Sequence, residues 1–190
     1  MASEVDIANR ALQKLGAERI VSLTQDSENA RACNLAYSTI RDAELRSHPW
    51  NFAIKRAQLA ADASSPLFGY QNAFTLPSDC LRLLPPDVWA NYNTHDWQIE
   101  GRKILTNDSA PLEIRYIYRV TDTTQYDSLF VESLACAMAQ ELCEQLTQSN
   151  SKAQIIRSDY MAAIRQARKQ NAFENISAET TTDSWITCRL

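Results

Sequence analysis

Glycine is nearly absent from this 190-residue chain, which has only Gly16, Gly69 and Gly101, each isolated. A phosphate-cradling P-loop and a dinucleotide fingerprint both need clustered glycines, so nucleotide use by either route is excluded. Histidine is as scarce: His48 stands at a helix end before Pro49, and His95 in a polar stretch. No G-x-S-x-G, H-E-x-x-H or C-x-x-C occurs, which removes the nucleophile elbow and the usual zinc spacings. Basic excess is missing too. The formal charge of −4 is the wrong sign for a domain whose main work is gripping phosphate backbones. Apolar runs are only a few residues long, and "MASEVDIANRALQKLG" opens on acids and a helical period. The expectation is therefore neither a membrane span nor a signal peptide.

What is present fits a folded globular protein: 45% apolar and 22% charged residues, enough for one domain carrying a modest insertion. Five cysteines, Cys33, Cys80, Cys136, Cys143 and Cys188, form an odd set with no close pair. That pattern suits a reducing compartment and reads as small core residues. Cys136 and Cys143 share a helix face, but two turns span about 10 Å, too far for one metal ion. No metal or cofactor site is expected.

Periodicity divides the chain. Ser3 with Asp6 forms a capping box, and Gly16 supplies a left-handed stop, bounding a helix over 4–15 with Ile7, Ala8, Ala11, Leu12 and Leu15 on one face. A second helix spans 28–47, with a stripe of Ala30, Cys33, Ala36, Tyr37, Ile40 and Ala43, and ends before Pro49. From 50 to 120 short apolar segments alternate between Pro, Gly, Asn and Asp, and "WQIEGRKILT" reads as two strands around Gly101 and Arg102. In "LEIRYIYRV", Leu112, Ile114, Tyr116 and Tyr118 fall on one side. Helices return at 128–148, through Val131, Leu134, Ala135, Met138, Leu142 and Leu146, and at 152–172, through Ile155, Ile156, Tyr160, Ala163, Ile164 and Ala167. The expected fold is α+β: a helical bundle made by 1–49 and 121–175, a small antiparallel β lobe inserted at 50–120, and a tail at 176–190.

Three features invite a functional reading. In "FTLPSDCLRLL", Cys80 beside Asp79 suggests a thiol nucleophile paired in space with a histidine. The plainer reading is a turn at Pro77, Ser78 and Asp79 between strands entering from Phe74 and leaving through Leu81 and Leu83, with Cys80 a small buried hydrophobe and Arg82 salt-bridged or solvated. The last helix carries Lys152, Arg157, Arg165, Arg168 and Lys169 against a lone Asp159. This face suits an acidic protein partner or nucleic acid, or is simply solvated. The tail "ENISAETTTDSWITCRL" places Trp185 and Ile186 near its end; it is either a disordered terminus or an arm that orders on a partner, anchored by Trp185.

Taken together, "ANRALQKLGAERIVSL", "ENARACNLAYSTIRDAELRSHPWNFAIKRAQLA", "YQNAFTLPSDCLRLL" and "LEIRYIYRVTDTTQYDSLFVESLACAMAQELCEQLTQS" resemble the podovirus tail tubular protein A family, the head-to-tail adaptors of short-tailed phages. The resemblance reaches to about Asn175. It implies a non-enzymatic virion protein, assembled in the host cytoplasm, forming a ring, by family analogy twelvefold, between portal protein and tail nozzle protein. DNA would pass through the lumen without specific binding, and an acidic chain suits a conduit better than a grip. Arg157, Arg165, Arg168, Lys169, Trp185 and Ile186 are the candidate partner contacts. The alternatives are a nucleic-acid-binding module using the last helix and an enzyme centred on Cys80.

Overall fold

The computed structural model describes residues 2–84 and 96–174. His95, Trp185, Ile186 and Cys188 lie outside them, as does the 176–190 tail.

The first helix, α1 (Glu4–Leu15), begins with the expected reciprocal cap: the Ser3 hydroxyl accepts from the Asp6 amide at 3.1 Å while the Ser3 amide donates to the Asp6 carboxylate at 2.8 Å. It ends on Gly16 at φ 70°, a left-handed conformation that a side chain would strain. Lys152 closes over this end, donating to the Leu15 carbonyl and sitting 3.3 Å from where a Gly16 Cβ would stand. The second helix, α2 (Glu28–Ser47), starts on the Ser27 hydroxyl and stops at His48, which is extended before Pro49. Asp127 caps α3 (Ser128–Thr147), accepting from the Leu129 and Phe130 amides, and Ser149 caps α4 (Asn150–Phe173).

Helix α3 packs against α1, α2 and α4. Its burial therefore runs round much of the helix, from Phe130, Leu134 and Met138 on one side to Cys136 and Cys143 on another. Ala135 and Ala139 are fully buried within the bundle, so their small size serves close approach inside this chain. The stripe expected along α2 is corrected at its end. Ala43 is exposed, while Arg41 and Glu44 are buried in its place. Likewise Ile155, expected in the α4 stripe, is 61% exposed.

Between α2 and α3 the described residues form six strands in two antiparallel three-stranded sheets. In one, β1 (Ile54–Leu59) and β3 (Cys80–Leu83) flank β6 (Leu112–Tyr118); in the other, β2 (Asn72–Thr75) and β4 (Trp97–Glu100) flank β5 (Lys103–Thr106). Gly101 and Arg102 form the β4–β5 turn, as the sequence pattern expects. The architecture is thus α+β. Alternation in β6 is the joint of the molecule. Ile114 and Tyr116 face a small core with Phe74, Cys80 and Ile104, whereas Ile117 faces the helical core with Ala53, Leu84 and Val120. Among the described residues no helix is long and apolar enough to cross a membrane.

Candidate interaction surfaces

The Cys80 corner is built as a turn. The Cys80 amide donates to the Pro77 carbonyl at 3.0 Å, and the Arg102 guanidinium donates to the same oxygen. Asp79 accepts from Lys55 and from the Tyr116 hydroxyl, each at 3.1 Å. The strands on either side are not a hairpin, because β2 pairs with β5 and β3 with β6; the turn passes the chain from one sheet to the other. Arg82 donates to the Arg46 carbonyl at 3.0 Å and so ties β3 to the end of α2. Burial pushes the Cys80 thiol up, away from the thiolate a nucleophile needs. Among the described residues no histidine hydrogen-bonds it. His48 lies instead against Trp50, ring centroids 4.8 Å apart, with Nε2 3.2 Å from the Asn171 amide nitrogen. Cys33, Cys80, Cys136 and Cys143 are all free and buried. No cluster of three metal-ligating side chains occurs among the described residues.

The five basic residues of α4 divide by role. Lys152 caps α1. Arg168 is half-buried, donates to the Ser47 hydroxyl at 3.2 Å, and partly offsets the burial that raises the Glu44 carboxyl above its usual range. Glu44 also accepts from the Tyr160 hydroxyl at 2.5 Å, which locks α2 to α4. Arg157, Arg165 and Lys169 remain exposed. With Met161 (46% exposed) and Phe173 (70%), they repeat at every fourth position: 157, 161, 165, 169, 173. Such a row is a helix ridge, the unit by which helices pack. Lys169 lies 5.7 Å from the Phe173 ring centre. Three of the four α4 residues proposed from sequence as partner contacts thus share one ridge, and Arg168 is an internal tie. Met161 and Phe173, which belong to the ridge, escape a reading of charge alone. Their fourfold spacing from the arginines is the signal that finds them.

A second surface lies where the helices meet the sheets. Trp50, Phe52, Tyr126 and Phe130 form an aromatic cluster with centroids 5.0 to 6.2 Å apart. Trp50, Phe52 and Tyr126 also line a cavity of about 260 Å³. Its polar lining is organised by Asn171, whose carbonyl oxygen accepts from the Asn51 amide at 2.9 Å while its amide donates to the Pro49 carbonyl at 3.2 Å. Asn51 in turn donates to Glu174 at 3.0 Å. The cavity is smaller than the roughly 300 to 1,000 Å³ of small-molecule sites and suits a side chain better than a cofactor.

A third feature is the β1–β2 connection, where Leu67 and Phe68 are 98% and 87% exposed between Pro66 and Gly69. Gly69, at φ 86°, turns the chain back after them.

The chain matches no protein-family model and, in a search of curated proteins, no relative.

Proposed function

We propose that this chain is a structural assembly protein of a short-tailed phage virion, a head-to-tail adaptor that forms a ring between portal and tail nozzle and catalyses no reaction. The ring has twelve copies by family analogy, and DNA crosses its lumen without specific binding. The observation that carries this reading beyond the sequence resemblance is the α4 ridge, Arg157–Met161–Arg165–Lys169–Phe173. It combines exposed apolar side chains with arginine, the composition favoured at the centre of protein interfaces. A ring needs such a face to meet a different face of the next copy, or of a neighbouring ring.

The nucleic-acid reading draws on the same helix and is weaker. Two of its five basic residues are spent within the fold, on Leu15 and on Ser47 with Glu44, and the chain is acidic overall.

The test is the mass of the purified protein alone and after mixing with the portal of the same virus. Formation of a closed multimer, alone or on the portal, is the expected result. A subunit that stays monomeric in both conditions overturns the proposal, and salt-dependent DNA binding in its place would favour the nucleic-acid module.

A further inference from the structure

We propose that the β1–β2 loop tip of one copy, Leu67–Phe68, docks into the Trp50–Phe52–Tyr126 cavity of the next copy as a knob in a hole. The inference rests on the ring-forming reading above and names one of its contacts.

Two anomalies of this chain answer each other. Adjacent large apolar side chains, 98% and 87% exposed, stand on a loop tip with none of the described residues packed over them. Elsewhere a cavity of about 260 Å³ is lined by the aromatic Trp50, Phe52 and Tyr126 together with the polar Asn51, Gln125, Asp127, Asn171 and Glu174. An interface anchor can take this form: an aromatic side chain seated against aromatic walls, with the pocket's polar groups left to meet the backbone that carries it.

Leu67 and Phe68 are exposed and so do not fill their own chain's cavity, which leaves that hole to a tip from another copy. Knob and hole are both joined to β1, the hole at its start through Trp50 and Phe52, the knob beyond its end. Six extended residues hold those ends about 20 Å apart at the usual strand rise. A knob at one end and a hole at the other is a head-to-tail pair, which propagates from copy to copy and closes when the rotation permits.

Charge favours a protein partner over a lipid surface. Between residues 60 and 71 there is no Lys or Arg, and membrane-docking tips draw on such cations to bind anionic headgroups. The single charge in the loop, Asp62, is held at its base by Lys103 at 2.8 Å and by the Thr75 hydroxyl at 2.9 Å. An uncharged tip therefore enters a cavity whose nearby acids are already engaged, Asp127 by the α3 amides and Glu174 by Asn51.

The decisive experiment is a heterotypic cross-link in a Cys188→Ser background, since the four described cysteines are buried. Phe68→Cys and Gln125→Cys proteins, both altered at exposed positions, are oxidised separately and mixed, with and without the portal. A covalent dimer that forms faster in the mixture than in either protein alone supports the proposal. Phe68→Ser should keep its helical signal and melting temperature while associating about thirtyfold more weakly, the effect of losing one hot-spot anchor. Gln125→Trp, which narrows the mouth, should act in the same direction. Multimers that form without the mixed disulfide, and that Phe68→Ser leaves unchanged, overturn this contact and spare the ring. Absence of any multimer, alone or on the portal, together with absence of the mixed disulfide, overturns both. Loss of binding to neutral phosphatidylcholine vesicles in Phe68→Ser, without a mixed disulfide, would reassign the tip to lipid and also overturn it.

Discussion

The helical half of the molecule closes around apolar side chains from α1, α2, α3 and α4, whereas the smaller core of the sheet half has, among the described residues, five buried ones, Phe74, Cys80, Ile104, Ile114 and Tyr116. The sheets complete themselves at the surface with polar ties: Lys103 to Asp62 at 2.8 Å, and Lys55 with Tyr116 to Asp79 at 3.1 Å. Exposed ion pairs contribute about 0 to 1 kcal/mol each, less than one fully buried leucine or phenylalanine. The helices thus supply the stable frame and the sheets present loops from it. Opening should begin at the sheets, because local stability follows apolar contact density.

The largest expected effects test that ranking directly. Leu134, fully buried on α3, should cost about 2 to 5 kcal/mol when cut to alanine. Its urea transition should shift for helix and sheet probes together. Phe74→Ala should cost about 3 to 5 kcal/mol within the small core. Here the amide protection of Ile104 and Leu105 should be lost in a transition that precedes the loss of helical signal. If both variants shift every probe equally, the two halves are one cooperative unit and the contrast fails. A smaller effect, of about 1 kcal/mol, is expected for Gly16→Ala, which strains a left-handed position and crowds Lys152. A melting temperature equal to that of the unaltered protein would remove Lys152 and Gly16 as a joint stop of α1.

Acid should separate the halves in sign. Burial holds the Glu44 carboxyl above its usual range, against the opposing Tyr160 hydroxyl and Arg168. The fold therefore prefers protonated Glu44. Stability attached to this group is greatest at acid pH and is lost as pH climbs from the ordinary carboxylate value through the raised one. Asp62 is the reverse: hydrogen bonds from Lys103 and then Thr75 hold it low, so its contribution is present above the ordinary value and lost as pH falls through the lowered one. Glu44→Gln keeps an acceptor for Tyr160, so it should match the unaltered protein in acid and exceed it in stability at neutral pH. Asp62→Asn should be less stable at neutral pH and converge in acid. Urea titrations at several pH values measure both, and a neutral-pH loss in Glu44→Gln would mean that Arg168 outweighs burial.

Helix starts and stops were legible because they are local. Ser3 with Asp6, Gly16 and Pro49 act through their own backbone neighbourhoods, and the helix limits observed fall within two residues of those the periodicity implies. The partition into two sheets was not, since nothing near Pro77 says that β2 pairs forward with β5 while β3 pairs with β6. Pairing over such separations is decided by the tertiary core, here by β6 offering apolar residues on both faces. The candidate surfaces were half legible. Charge on α4 is visible in the sequence, but whether a given arginine faces water or Glu44 depends on a helix more than a hundred residues away.

That last distinction yields the smallest stability effect and the sharpest functional one. Replacing Arg157, Arg165 and Lys169 together by Glu alters only exposed positions on the α4 ridge, so stability should change by no more than about 0.5 kcal/mol in total. Arg168→Ala should cost more than any of the three, because it removes the hydrogen bond to Ser47 and the positive charge that opposes the burial of Glu44. If the ridge is a docking face, the triple variant should fail to join the multimer or the portal while melting almost as the unaltered protein does. Arg168→Ala, by contrast, should melt earlier yet assemble normally below its transition. A triple variant that assembles unchanged would transfer the docking role away from α4, whereas an Arg168→Ala protein of full stability would restore that arginine to the surface set that sequence alone assigns it.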